Sequence, residues 1–292
     1  MKSKSTFRYP LVFIIPSLAL YVLMFMFPTV SGFYYSFTDW SAYSESVRFI
    51  GLENYYRLFT ESVLLTSIRN TLLYAVFVTI FVNIFGLGLA LMLNERMRLG
   101  HFYRTAFYIP VVIAPLIVGY IFTSIYHPEN GILNQFLKAS GLNFLAVDWL
   151  NDSRYALFSI ICTEIWRSSG FAMVIYLAGL KGIPKDMLEQ ASVDGAGAWS
   201  KFRNVIFPLL APAFTVNFLL TVIHSLKVFE TVLVLTNGGP GYDTEVFNTL
   251  IFRNFSRGNW GYATAAGFIL TILISVIAIF FLRILRKREV DM

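Results

Sequence analysis

The sequence predicts an all-α integral membrane protein with six transmembrane helices. Of its 292 residues, 57% are hydrophobic and only 14% are charged, whereas a soluble domain carries about 25% charged residues. The apolar residues gather into repeated runs of about twenty, the length a helix needs to cross a bilayer. Short polar segments rich in turn residues separate the runs.

The first span covers about Pro10 to Phe33. Pro16 and Pro28 free backbone carbonyls that need neighbours, so a kinked or packed helix is expected. Met1 to Arg8 is basic, and the long run after it lacks an A-x-A end, so it reads as an uncleaved anchor rather than a signal peptide. A loop rich in Tyr and Trp, about Asp39 to Ser67, leads to the second span, about Leu72 to Leu93. The third covers about Thr105 to Ile125, with Pro110 and Pro115 inside it. His127 to Arg154 is polar, and the fourth span is about Leu157 to Leu180. Pro208 or Pro212 opens the fifth span, which ends near Leu235. Asn237-Gly238-Gly239-Pro240-Gly241 is a strong turn cluster before the sixth span, about Tyr262 to Leu285.

Lysine and arginine placement sets the orientation. Six spans put both termini on one side, with the second and fourth loops. That side holds Lys2, Lys4, Arg8, Arg96, Arg98, Arg104, Lys181, Lys185, Lys201, Arg203, Arg283, Arg286, Lys287 and Arg288, fourteen against seven on the other. The termini are therefore expected in the cytoplasm of a multi-pass cell-membrane protein. The net charge of +6 is spread over these loops and forms no nucleic-acid patch.

Catalytic signatures are missing. No G-x-x-x-x-G-K-[ST], H-E-x-x-H or G-x-S-x-G occurs, so ATP binding by this chain and enzymatic activity are not expected. His101, His127 and His224 are scattered and Cys162 is the only cysteine, so no metal, cofactor or disulfide is called.

Charges inside the spans are costly and face a bundle interior or a water-filled path. Glu164 and Arg167 stand three apart on the fourth span, and Lys227 and Glu230 three apart on the fifth, so each pair is expected to share a helix face. Both pairs fall about 10–12 Å in from the outer surface at the helical rise. A polar cluster in the outer half of a translocation path is expected, extended along the fifth span by Asn217 and His224. Trp166, Tyr176 and Phe229 are candidates for stacking on a sugar ring. The alternative is an interhelical salt bridge that fixes packing. Asn70 and Asn83 read as packing hydrogen-bond residues. Tyr43, Tyr55, Tyr56 and Trp149 read as interface-belt residues.

The most informative stretch lies between the fourth and fifth spans and is too polar to cross a bilayer. Pro184 suits a first helical position. Met187, Ala191 and Val193 give a short amphipathic helix, Gly195 and Gly197 allow a left-handed turn, and Ala198 to Val205 starts a second helix. Here the chain resembles the EAA loop of binding-protein-dependent ABC importer permeases, E-A-A-x3-G-x9-I-x-L-P. Glu189, Ala191, Gly195 and Pro208 match at the right spacing, Gln190 replaces the first Ala, and Val205 and Phe207 replace Ile and Leu. Leu235 to Pro240 with Thr244, Gly261-Tyr262-Ala263 with Ala265, Ser36 to Trp40, Gly51 to Tyr55, and Arg104-Thr105 with Phe107 resemble the carbohydrate permeases of that family, the group of the maltose and glycerol-3-phosphate permeases.

The resemblance implies the type I ABC importer transmembrane domain over about residues 67–285, with the EAA loop at 184–208. Residues 1–66 precede it as a tail, first span and outer loop, and 286–292 follow as a tail. It further implies a second permease subunit of the same fold, two ATP-binding cassette ATPase subunits, an extracytoplasmic solute-binding protein and a carbohydrate substrate, all at a lipid membrane. Glu189, Ala191, Asp194 and Gly195 are then expected to dock the ATPase. It says nothing of the intramembrane charges. The rival is a secondary sugar transporter driven by an ion gradient, with Glu164 or Glu230 as its ion site.

Overall fold

The computed structural model describes residues 11–94 and 98–286. Lys2, Lys4, Arg8, Arg96, Lys287 and Arg288, which the charge count uses, lie outside the described residues. Among those described there is no β-strand, and the one isolated β-bridge joins Thr38 and Phe49. Four helices have the length and apolarity to cross a membrane: α1 (Ile15–Tyr35), α3 (Ser62–Asn94), α7 (Ala156–Lys181) and α13 (Trp260–Arg286). The short α2 (Glu53–Thr60) precedes α3. Two bent pairs raise the count to six spans. One joins α4 (Gly100–Val112) to α5 (Pro115–Ile125) at 97°, the other α9 (Ala198–Leu209) to α10 (Ala211–Leu226) at 70°.

The chain divides into two compact units. The smaller comprises residues up to Thr60 with Ile251–Ile269. In it, the Asn54 amide donates to the Ser36 and Thr38 carbonyls at 2.9 and 2.8 Å. Trp40 packs on Tyr35 and Trp260, with ring centroids 4.5 and 5.0 Å away. Tyr55 meets the Ser36 hydroxyl at 2.7 Å, whereas Tyr43 and Tyr56 are exposed. Every described side chain from Phe13 to Val30 is exposed, and a π turn at Val22–Met26 precedes Pro28.

The larger unit is built on α3 packed along α7. Gly86 lets them touch, since a Cβ there would overlap Ala172 of α7. Around that contact Tyr74, Val78, Val82, Met173, Tyr176 and Leu210 form the buried core. Inside it, the Asn83 side-chain oxygen accepts from the Tyr176 hydroxyl and from the Asn217 amide, the latter at 2.9 Å. The Asn83 amide donates to the Thr79 carbonyl at 2.7 Å. Asn70 donates to the Asp243 and Glu245 carbonyls at 2.9 and 3.0 Å. Two short helices decorate this unit, α6 (Ile132–Ala139) and the elbow helix α8 (Lys185–Val193). The polar 127–154 stretch is thus partly helical, and Trp149 donates there to the Asn134 side chain at 2.8 Å.

Two spans depart from the continuous helices the sequence suggests. The third breaks at Ile113–Ala114, both extended (ψ 130 and 136), because a residue before proline is pushed out of the helical region. The fifth ends as a helix at Leu226 and resumes as α11 (Glu230–Leu235). Lys227 and Glu230 therefore flank a break and do not share a helix face. The break survives in an apolar setting because its carbonyls are satisfied: the Asn248 amide, on α12 (Phe247–Ser256), donates to Lys227 O at 2.8 Å and Val228 O at 3.4 Å.

Candidate functional site

Glu164 sits on α7 eight residues from its first residue, Ala156, about 12 Å along the axis and toward the end opposite the elbow. The residue is 8% exposed, and its carboxylate accepts four hydrogen bonds. Arg167 supplies two, from Nη2 at 2.6 Å and Nε at 3.2 Å. Ser168 supplies a third at 2.5 Å and Thr231 a fourth at 3.2 Å. The ion pair lies within α7, as the spacing of three allows. The link to another helix is the neutral Thr231 bond to α11.

This cluster borders two cavity lobes. One, about 330 Å³, is lined by Glu164, Arg167, Tyr74, Lys227, Phe229 and Glu230. The other, about 220 Å³, shares Glu164 and Arg167 and adds Ser168, Phe171, Thr221 and His224. The first volume falls at the lower end of small-ligand sites, roughly 300–1,000 Å³, and the second lies below it. Both broken spans reach the cavity, through Val111 and Pro115 of the third and Lys227–Thr231 of the fifth. Irregular backbone at membrane depth is tolerated where it is buried in protein or lines a water-filled space. A larger cleft of about 550 Å³ between α3, α10 and α13 is lined by Leu72, Val76, Phe218, Val276 and other apolar side chains. Its one polar lining residue is Thr79, whose hydroxyl is buried, so little in it would orient a polar solute.

Five of the six residues singled out for a path thus surround one space: Glu164, Arg167, His224, Lys227 and Glu230. Asn217 is elsewhere, fully buried against Asn83. Of the stacking candidates, Phe229 lines the cavity, Tyr176 belongs to the Asn83 cluster, and Trp166 packs on Phe122 at 5.2 Å. Sequence reasoning missed Ser168, Thr231, Tyr74 and Phe171. Ser168 was within reach, four residues beyond Glu164 on the same face. Thr231 was not, because its approach depends on the break before it.

At the other end of α7 stands the elbow. Pro184 is the cap of α8 rather than its first residue. Gly195 has φ +77, and the Ala196 and Gly195 amides donate to the Ala191 and Ser192 carbonyls at 3.0 and 3.2 Å. This is the paired bonding that ends a helix on a left-handed glycine. Gly197 does not share the turn, since it is extended at φ −68 and ψ 169. Lys201 ties α9 back to α8 through Ser192 at 2.8 Å. Glu189, Asp194 and Gly195 are exposed and Ala191 is half-buried. Val193 and Trp199 expose 87% and 71% of their surface, an apolar face on a rigid polar knob.

A family model described as the binding-protein-dependent transport system inner membrane component matches residues 83–290. The probable starch degradation products transport system permease protein AmyD of Thermoanaerobacterium thermosulfurigenes is 35% identical, over 96% of this chain and 95% of its own. The multiple sugar-binding transport system permease protein MsmF of Streptococcus mutans is 30% identical, over 95% of both chains. Among solved structures, a chain of the bacterial alginate ABC transporter, in complex with alginate pentasaccharide-bound periplasmic protein, superposes with a TM-score of 0.83. It is 26% identical, over 94% of this chain and 93% of that one.

Proposed function

We propose, because this chain belongs to the binding-protein-dependent transport system inner membrane components, that it is a permease subunit of an ATP-driven importer for a sugar or sugar derivative. The observation that carries this is full-length similarity to sugar-transport permeases at 35% identity. A second permease of the same fold, two ATPase subunits and a solute-binding protein complete the importer, and ATP is hydrolysed on the partner chains. The excess of basic residues supports a cytoplasmic position for both termini and the elbow.

The elbow is the handle for the ATPase. Glu189 and Asp194 offer anions to a partner's basic residues, Ala191 and Gly195 hold the helix end in shape, and Val193 and Trp199 supply the apolar contact. Because α8 and α9 are tied together and joined through short turns to α7 and α10, motion of the partner reaches those two spans. The cavity around Glu164, Arg167, His224, Lys227 and Glu230 is this chain's share of the sugar path, opposite the elbow. Asn217 serves that path only by fixing the helices behind it.

A photo-crosslinkable residue at Val193 or Gln190 tests the handle in intact cells. Capture of an ATPase subunit is expected. Absence of that product, or labelling of the elbow from outside the cell, overturns the orientation and the coupling together.

A further inference from the structure

We propose that this cavity is charge-compensated to take an uncharged, polyhydroxylated sugar, and that its carboxylates turn away sugar acids and sugar phosphates. The inference rests on the reading of the cavity as the sugar path. Its lining carries two cations, Arg167 and Lys227, and two carboxylates, Glu164 and Glu230. Two against two leaves no net charge, and His224 is the one further titratable imidazole.

The distribution matters more than the sum. Recognition of a carboxylate or phosphate calls for an arginine fork facing the ligand. Here one edge of the Arg167 guanidinium is held by Glu164, with Nη2 and Nε on its two oxygens at 2.6 and 3.2 Å, so the charge of each offsets the other. The four bonds to Glu164 also use about all the lone-pair sites a carboxylate has. Beside that pair a solute meets Lys227 and Glu230 with Tyr74, Ser225 and His224 in the first lobe, and Thr221 with Ser225 and His224 in the second. A donor facing an acceptor suits the hydroxyls of a neutral sugar, each of which both gives and takes a hydrogen bond. The rings of Phe229 and Phe171 supply apolar faces, one to each lobe. An anion would instead meet a lining with no surplus of positive charge, Arg167 being held by Glu164 and Lys227 standing beside Glu230.

The test uses the assembled importer, both permeases with their ATPases, in nanodiscs without binding protein, so that the path itself is read. Equilibrium binding is measured for maltotriose, cellotriose and raffinose as neutral probes and trigalacturonate as the anionic probe. At least one neutral probe is expected to bind at least about tenfold more tightly than trigalacturonate, the scale of one charge-assisted hydrogen bond. Glu230→Gln, an exposed change that leaves the core intact, is expected to shrink that ratio several-fold by strengthening trigalacturonate. Glu164→Gln should do the same by freeing Arg167, and Lys227→Gln should not.

Trigalacturonate binding the unaltered importer as tightly as every neutral probe, no neutral probe binding at all, or a ratio unmoved by Glu230→Gln overturns the proposal. If Phe171→Ala and Glu230→Gln change the binding of no probe, the sugar-path reading itself is wrong. If they weaken neutral sugars without moving the ratio, that reading stands and only the charge inference falls.

Discussion

Two polar clusters lie in the larger unit, and one of them has space beside it. Asn83, Tyr176 and Asn217 join α3, α7 and α10 in a packed interior, with Asn217 fully buried. Glu164, Arg167, Ser168 and Thr231 are also bonded to one another, yet they form the wall of a cavity whose rim carries exposed Lys227 and Glu230. Polar groups within a membrane are costly in both places. The first cluster offsets that cost by tying helices together, and the second leaves donors and acceptors for a solute. The adjoining space, rather than the polarity, separates an architectural cluster from a functional one.

The sharpest way to break this comparison is Asn83→Leu. It strands the Tyr176 hydroxyl and the Asn217 amide, each at about 1–3 kcal/mol. A fall of several degrees in the thermal midpoint of the detergent-purified chain is expected. Asn83→Leu with Asn217→Leu should lose less than the two changes summed, because paired groups do not add. Additive losses would mean the cluster is no unit.

Lys227→Gln should do the reverse. The midpoint stays put while the KM for sugar uptake by the reconstituted importer rises about tenfold, as for a lost charge-assisted hydrogen bond. A lowered midpoint with unchanged uptake would make the cavity charges packing elements. Gly195→Val forces a β-branched residue into the left-handed region, a strain of about 1–2 kcal/mol. The elbow is exposed, so the expected readout is several-fold weaker coupling of ATP hydrolysis to uptake, with little change in global unfolding.

The smallest effect belongs to an exposed pair outside both clusters. Arg154, 2.8 Å from Asp152, holds that carboxyl below its usual range. A carboxyl with a lowered folded pKa stabilises above its unfolded value, about 3.9, and that contribution is lost only as pH falls through the folded value. Asp152→Asn should therefore lower the thermal midpoint slightly and by the same amount at pH 7 and pH 5, and that small loss should fade below about pH 4.

Much of this was legible in the chain itself. Run length marked the spans, and the spacing of Glu164 and Arg167 foretold their pairing, because both follow from helix geometry. Pro115 also carried its own signal for a break. The break at Lys227–Phe229 carried none, with no glycine or proline near it. It is held by Asn248, some twenty residues on, and by Thr231 reaching Glu164, contacts only a folded chain creates. Asn217 misled for the same reason. It lies seven residues before His224, on the same side of α10 by helical period, but α3 covers one position and not the other. At the elbow the need for a left-handed glycine was readable, and which of the two glycines met it was set by the bonds to Ala191 and Ser192.

The most direct test of the central claim is sugar uptake into proteoliposomes holding this chain with its partner permease, ATPases and binding protein. Ionophores would collapse every ion gradient. Uptake that continues, requires ATP and stops with vanadate is the predicted result. Uptake that ignores vanadate and dies with the gradients would contradict it and make the chain a secondary transporter.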